Sequence, residues 1–378
     1  MARIDDEISI KGIRLRNRLV LPPITTGHAT LDGEVTDQHI GFYKQRARDV
    51  GMVVAEASVI RPDGRLMPRS LGLWDDGKIP GMKRIAQAIK GEGAVAVLQI
   101  AHAGARSVPW DQGILRASPS NVVIAPGPAP TKVTEEQIGE IVEDFISSVI
   151  RAAEAGFDGV EIHGAHHYLI SQFLSPFINR RDDRYGGDAA GRATLALEVV
   201  KGVRKQLGSS FLIQFRLDAV ELADGGKSIE EGIEQARLLE AAGVDVIHSS
   251  LIAQMFWRES RDGQRFLQST SALPKEQPKG NAVQYAAKIK AAVGIPVIAV
   301  GKLGDVDVAS RAVQEGAADL VAIGRQMIAD PETARKILSG RGSEIIQCQE
   351  CNGCFASIRK DNGLMCSVNK NTSGPAEY

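Results

Sequence analysis

The sequence predicts an α/β protein built as one (β/α)8 TIM barrel, followed by a short C-terminal segment carrying four cysteines. Three observations carry that expectation: aliphatic runs recur eight times along the 378 residues, helical patterns separate them, and the cysteines all fall between Cys348 and Cys366. Strands buried on both faces, as parallel barrel strands are, read as continuous apolar runs rather than in-out alternation.

In chain order the runs are RLVLPPI at 18–24, MVVAEASVI at 52–60, AVAVLQIAH at 94–102, GVEIHGA at 159–165, FLIQFRLD at 211–218, VDVIHSS at 244–250, IPVIAVG at 295–301 and DLVAIGR at 319–325. Ahead of the first, ISIKGIRLRN reads as a hairpin suited to plugging the barrel floor. The clearest helical pattern runs from Thr134 to Gly156, with Ile138, Ile141, Val142, Phe145, Ile146, Val149 and Ile150 at three- and four-residue spacing. Thr134 with Gln137, and Ser228 with Glu231, make capping-box starts, and glycines at 156, 208, 243, 294 and 316 stand where helices should stop. Eight such units favour a closed barrel over an open doubly wound sheet. No Gly-x-Gly-x-x-Gly follows the first strand, which weakens the open alternative further. Residues 103–133 after strand three and 251–281 after strand six are too long for plain connections. Lying at strand carboxyl ends, the catalytic face of such barrels, they are expected to cover a substrate.

Composition narrows the function. Charge is balanced, with 45 Lys and Arg against 46 Asp and Glu, so there is no electrostatic footprint for nucleic acid or an anionic membrane. No apolar run reaches membrane-span length, and MARIDDEISI has no apolar core of a signal peptide, so the cytoplasm is the expected compartment. A small-molecule substrate and a homo-oligomeric assembly are expected, with a barrel over 1–342 and a cysteine extension over 343–378. The cysteines read C-x2-C-x2-C-x11-C at Cys348, Cys351, Cys354 and Cys366. A disulfide framework spreads its cysteines through a small chain; four crowded into one tail suit a soft metal centre, zinc or iron–sulfur, and spacing leaves both open.

The fourth strand runs into His163-Gly164-Ala165-His166-His167-Tyr168, followed by Asn179, Arg181, Asp183 and Tyr185-Gly186-Gly187. Two imidazoles can donate hydrogen bonds to one oxygen while a phenol delivers a proton to carbon. The bland alternative is a cluster of core or metal-binding histidines. Gly301 and Gly324-Arg325, after strands seven and eight, offer amides and a guanidinium to a phosphate, ahead of helices whose N-terminal dipoles would help.

The strand-four segment resembles the Old Yellow Enzyme family, whose pattern His-x-x-His/Asn-x-Tyr-Leu, Phe-Leu-x-Pro and Asn-x-Arg-x-Asp-x-Tyr-Gly-Gly marks the substrate-binding strand. His167 departs from the small residue usual in its slot. The resemblance extends to Asn17-Arg18 with Pro23-Ile24-Thr25, to Glu56-Ala57-Ser58 and to Gln99-x-x-His102-Ala103-Gly104-x-x-Ser107, and so covers nearly the whole chain. It implies non-covalent FMN contacted by Pro23, Ile24, Thr25, Ala57 and His163, with Gln99 at its pyrimidine edge and Arg216 near its N1. Gly301, Gly324 and Arg325 would take the phosphate. It further implies that His163 and His166 hold an electron-withdrawing group and that Tyr168 is the proton donor. The tail is similar to the iron–sulfur branch of this family, which includes trimethylamine dehydrogenase and 2,4-dienoyl-CoA reductase, and implies a 4Fe-4S cluster on Cys348, Cys351, Cys354 and Cys366.

Three functions compete. In an ene-reductase, NAD(P)H would reduce FMN and hydride would pass to an activated alkene. In an amine dehydrogenase or N-demethylase, electrons would leave through the cluster to an electron-transfer protein partner, a reading favoured by the cysteine spacing. A non-catalytic scaffold subunit is the third. Trimethylamine dehydrogenase-like members have Tyr at the position of His163 and a flavin-tethering Cys at that of Thr25, and neither is present. Trp257 is available for an aromatic cage around an ammonium group, or simply packs on the rim. Dienoyl-CoA reductases carry a catalytic His in the 251–281 loop, which has none here. The branch usually continues into a second nucleotide-binding half, whereas twelve residues follow Cys366, so direct reduction by the nucleotide or exchange with a separate protein is expected.

Overall fold

The structure is a computed structural model that describes residues 1–108 and 115–372. Eight parallel strands close into a barrel: β1 (Leu19–Leu21), β2 (Met52–Val59), β3 (Val95–Ala101), β4 (Gly159–Gly164), β5 (Leu212–Glu221), β6 (Val246–Ile252), β7 (Val297–Val300) and β8 (Leu320–Ala322). Each pairs with the next, and β8 returns to β1. All eight fall inside or across the predicted apolar runs, with β5 and β6 reaching further at their carboxyl ends. Outside them run helices over Asp37–Ala47, Ile79–Gly91, Glu135–Glu154, Ala189–Leu207, Ile229–Ala242, Val283–Lys290, Val306–Gln314 and Thr333–Leu338.

Local chemistry fixes where these helices begin and end. The Thr134 side chain accepts from Gln137 N while the Gln137 side chain accepts from Thr134 N, and Ser228 and Glu231 repeat the exchange. Gly243 closes the Ile229–Ala242 helix at φ 111°, a left-handed conformation that favours glycine.

Two apolar regions result. Between strands and helices lies the larger, with Leu98, Phe145, Ile162, Val199 and Phe215 among its members. Inside the barrel, Val20, Met52, Val97, Leu212, Val246 and Ile298 pack against Ile10 and Leu15 of the antiparallel hairpin Ile8–Ile10 with Ile13–Leu15, which plugs the floor as expected. Above this floor the interior turns polar, with Gln99, Glu161, His163, Gln214, Arg216 and His248 all buried.

The long connection after β6 folds into an antiparallel hairpin, Gln254–Glu259 with Arg265–Thr270, which the sequence did not announce. Its exit, Thr270 to Leu273, lines the cavity at the barrel mouth, as a covering loop should. The connection after β3 contains a short parallel pair, Ala117–Ser118 with Thr131–Lys132; its residues 109–114 lie outside the described residues.

The cysteine-bearing tail is pinned to the barrel end. The Gln326 side chain accepts from Cys348 N and donates to Ile346 O, Asp330 accepts from Ile346 N and Lys336 Nζ, and Ile345, Ile358 and Leu364 join the outer core. Among the described residues no helix is long and apolar enough to cross a membrane.

Candidate active site

A cavity of about 820 Å³ opens at the carboxyl ends of the strands. Pro23, Ile24 and Thr25 line it from the end of β1, Tyr168 and Arg216 from the middle, and Gly301, Gly324 and Arg325 from the ends of β7 and β8. Cys348 and Cys354 of the tail border the same space, so predicted ring-binding, phosphate-binding and thiol residues share one chamber. Its size suits a cofactor-sized ligand. Ala57, Gln99, His163 and His166 do not line it. Ala57 packs in a small apolar cluster that Tyr168 touches, and the His163 ring lies 5.0 Å from Tyr168 and 5.1 Å from His166. Cys351 borders a second, smaller cavity with Cys348, and Cys366 packs against the outer core.

Parallel register builds the polar layer. It sets Arg216 beside His163 on β4 and His248 on β6, and Gln99 beside Glu161. Gln99 Nε2 donates to Glu161 Oε1 at 2.7 Å, and Glu161 Oε2 meets His248 Nδ1 at 2.6 Å. Gln99 therefore commits one of its two amide N–H groups to a carboxylate. Burial pushes Glu161 up, but His248 and Arg216 outweigh it and hold the carboxyl below its usual range. Sequence reasoning did not single out Glu161 or His248, although Glu161 stands two residues before His163 and so shares its inward face.

Arg216 Nε and His248 Nε2 are buried without a hydrogen-bond partner. A buried orphan donor is costly, so Arg216 Nε marks where a ligand with an acceptor would fit, while His248, its Nδ1–H committed to Glu161, presents Nε2 as an acceptor. A flavin is such a ligand. Gly301 has φ 122° and a Cβ there would lie 2.9 Å from Ala282 Cβ, so its turn requires glycine. One part of the phosphate expectation fails. Asp305 already caps the Val306–Gln314 helix through Asp307 N and Val308 N, and the helix after Gly324 is only the five residues Arg325–Ala329, so neither supplies a free dipole end.

The turn after β4 is strained and then held. A Cβ at Gly164 would meet Phe215 Cε1 at 2.2 Å, so only glycine lets the strand pass. His166 and His167 follow at φ 64° and 54°, left-handed values that cost non-glycine residues on the order of 1–3 kcal/mol. Asp218 Oδ2 accepts from His166 N at 2.6 Å and from Ser171 Oγ at 3.0 Å, and Arg106 donates to His166 O and Ser269 O. The His167 ring sits between Glu221 Oε1 at 3.0 Å and Ser269 Oγ at 2.8 Å, which explains its departure from the small residue usual there. Burial would raise Glu221, yet His167 and Lys227 take it down to about 2.

The two candidate catalytic histidines are neutral. Burial first and Arg216 second push His163 down to about 3 and His166 well below its ordinary value. Ala165 N donates to His163 Nδ1 at 3.3 Å, which leaves the ring hydrogen on Nε2. His166 Nε2 lies 2.8 Å from Ser250 Oγ.

In the tail all four cysteines are free thiols. Burial raises the Cys348 and Cys354 thiols, the nearby Cys366 thiol adds to that rise, and Arg325 acts in the opposite sense on both. As a donor set they suit a soft metal centre. Among the described residues, however, no three His, Cys, Asp or Glu converge on one metal-binding point. Trp257 does not form an ammonium cage: the Arg265 guanidinium already sits 4.7 Å over its ring.

Comparison with known proteins identifies the family. Residues 6–344 match the family described as NADH:flavin oxidoreductase / NADH oxidase. An NADH oxidase of Thermoanaerobacter brockii is 38% identical over 366 residues, spanning 95% of this chain and 54% of that protein. An NADPH dehydrogenase of Listeria innocua is 33% identical over 351 residues, spanning 91% and 97%. Among solved structures, 2-naphthoyl-CoA reductase in complex with 2-naphthoyl-CoA superposes with a TM-score of 0.89 at 28% identity, covering 98% of this chain and 57% of that one. This chain thus spans about half the length of the first relative and nearly all of the second.

A pH prediction follows from the buried histidines. Burial depresses His28 and His248 to about 4, His39 and His163 to about 3, and His166 well below its ordinary value. Below about pH 6.5 the unfolded chain takes up protons at these sites while the fold does not, so stability falls by roughly 1.4 kcal/mol per pH unit for each. Glu56, raised by burial to about 7, has the opposite sign and offsets about one of them between pH 7 and 4.5. The denaturant midpoint should therefore drop steeply from pH 7 to pH 5. A flat profile over that window would contradict the neutral assignments.

Proposed function

Because this chain belongs to the NADH:flavin oxidoreductase / NADH oxidase family, we propose that it is an FMN-dependent ene-reductase, using NAD(P)H to reduce the activated C=C bond of an enone, dienone or enoyl substrate. One observation carries the reading. Tyr168 is the only phenol among the described residues lining the cavity, and it stands beside two imidazoles that burial keeps neutral.

FMN, when bound, supplies to the β-carbon the hydride it has taken from NAD(P)H. Pro23, Ile24, Thr25 and Ala57 would hold its ring, Gln99, His163 and Arg216 its polar edge, and Gly301, Gly324 and Arg325 its phosphate. His163 and His166 donate N–H groups to the electron-withdrawing oxygen of the acceptor, and as neutral rings they stabilise developing negative charge without surrendering a proton. The proton therefore comes from the Tyr168 hydroxyl and goes to the α-carbon, so that one hydride and one proton complete the saturated bond. Arg216 contributes a fixed positive charge beside the reacting centre. Cys348, Cys351, Cys354 and Cys366 would bind a 4Fe-4S cluster, which would give an electron-transfer protein a route to the chamber that Cys348 and Cys354 border; the donor set supports this part of the reading.

Replacing Tyr168 with Phe should leave flavin reduction by nucleotide within about twofold and slow the anaerobic alkene half-reaction by roughly 10²–10⁴-fold. Equal losses in both halves, read by stopped-flow absorbance, would remove Tyr168 from its role. For the tail, anaerobically purified protein should contain iron and acid-labile sulfide, and Cys351→Ala should lose both. Zinc in their place would overturn the cluster assignment.

A further inference from the structure

The turn after β3 and the turn that carries Tyr168 are bonded into one unit. The first is a single 3-10 turn, Gly104–Arg106, entered at a Gly104 φ of 61°. A Cβ there would lie 2.6 Å from Gln172 Oε1 and 3.0 Å from Ala117 O, so glycine lets the two turns close on each other. From this turn, bonds reach the residues on either side of Tyr168. Leu169 N donates to His102 O at 2.9 Å. Gln172 Nε2 donates to Ala103 O at 3.1 Å and to His167 O at 2.8 Å, while its Oε1 accepts from Ala105 N at 3.1 Å. Arg106 completes the set: Nη1 donates to His166 O at 2.7 Å and Nη2 to Ser269 O at 3.0 Å. Its guanidinium carbon lies 5.9 Å from the centre of the Tyr168 ring, within reach of cation–π attraction.

We propose that Arg106 is a positioning residue for proton transfer by Tyr168, holding the left-handed His166 peptide and the phenol ring in one arrangement. The His166 peptide is gripped at both ends, its N–H by Asp218 and its carbonyl by Arg106. Because a guanidinium is a rigid planar fork, it can span two carbonyls at once, whereas an ammonium acts as a single point of charge. The second carbonyl belongs to the strand Arg265–Thr270, which runs on into the cavity wall at Thr270 to Leu273. Arg106 therefore braces the Tyr168 turn against the segment that covers the mouth. Its action on the acceptor goes through His166 and Tyr168.

The step that Arg106 serves rests on the ene-reductase reading, but the clamp itself is measurable without turnover. Hydrogen exchange, followed by mass spectrometry, is compared in the full-length wild type, Arg106→Gln and Arg106→Lys. Arg106→Gln should speed exchange over residues 166–172 about tenfold or more and leave the floor hairpin, residues 8–15, unchanged. Arg106→Lys, which keeps the charge and loses the fork, should fall between. Exchange over 166–172 that neither variant alters would overturn the clamp whatever the activity. In anaerobic stopped-flow, Arg106→Gln should slow the alkene half-reaction about tenfold or more and keep flavin reduction by nucleotide within about threefold. Added to Tyr168→Phe, it should cost less than about a further twofold, because both changes act on one proton transfer. Equal slowing of both half-reactions, or the same slowing with and without the phenol, would overturn the positioning role and leave the ene-reductase reading standing. If Tyr168→Phe itself leaves the alkene step untouched, that reading falls, and the exchange result still decides the clamp.

Discussion

A guanidinium buried inside a barrel has to be answered from neighbouring strands, because an ion removed from water costs several kcal/mol unless charge and hydrogen bonds replace the solvent. Arg216 is that group here. Register places it between His163 and His248, and Glu161, one layer below, returns the negative charge. The consequences spread outward. With Arg216 beside them, the buried imidazoles of His163 and His166 stay neutral. Neutral imidazoles can polarise an oxygen but are poor sources of a proton, which is why the proposed mechanism gives that duty to the phenol at the cavity wall.

Below this polar layer the barrel is packed with aliphatic side chains and plugged by a hairpin; above it lies the open chamber. The turn after β4 joins the two by accepting backbone strain at His166 and His167 and anchoring it to Asp218 and Glu221 on β5. Those anchors are themselves buried and charged, so the geometry of the site and the electrostatics of the interior are one problem. The tail extends the same chamber toward four thiols, held in place by the Gln326 and Asp330 side chains.

Much of this was legible in the sequence, for identifiable reasons. Strands buried on both faces leave uninterrupted aliphatic runs, and capping boxes at Thr134 and Ser228 announce helices from a few residues alone. Tyr168, Arg216 and the glycines after β7 and β8, picked out by the family resemblance and by their place at strand ends, all line the cavity. What depends on lateral pairing was not legible. The contact of Gln99 with Glu161, and of Glu161 with His248, joins residues 62 and 87 positions apart, and nothing along the chain records that register. The hairpin after β6 stayed hidden because its strands break short apolar stretches, Met255 to Trp257 and Phe266-Leu267, with charged and amide residues and lie largely exposed, without the long aliphatic run that marks a barrel strand.

The account stands on a ligand with acceptor atoms and a phosphate filling the mouth above Arg216. Equilibrium titration of the flavin-free chain with FMN, and in parallel with riboflavin, tests this most directly. One FMN should bind per chain, and riboflavin, lacking the phosphate for Gly301, Gly324 and Arg325, should bind markedly less tightly. A folded chain that takes up neither, or that holds both equally, would contradict it.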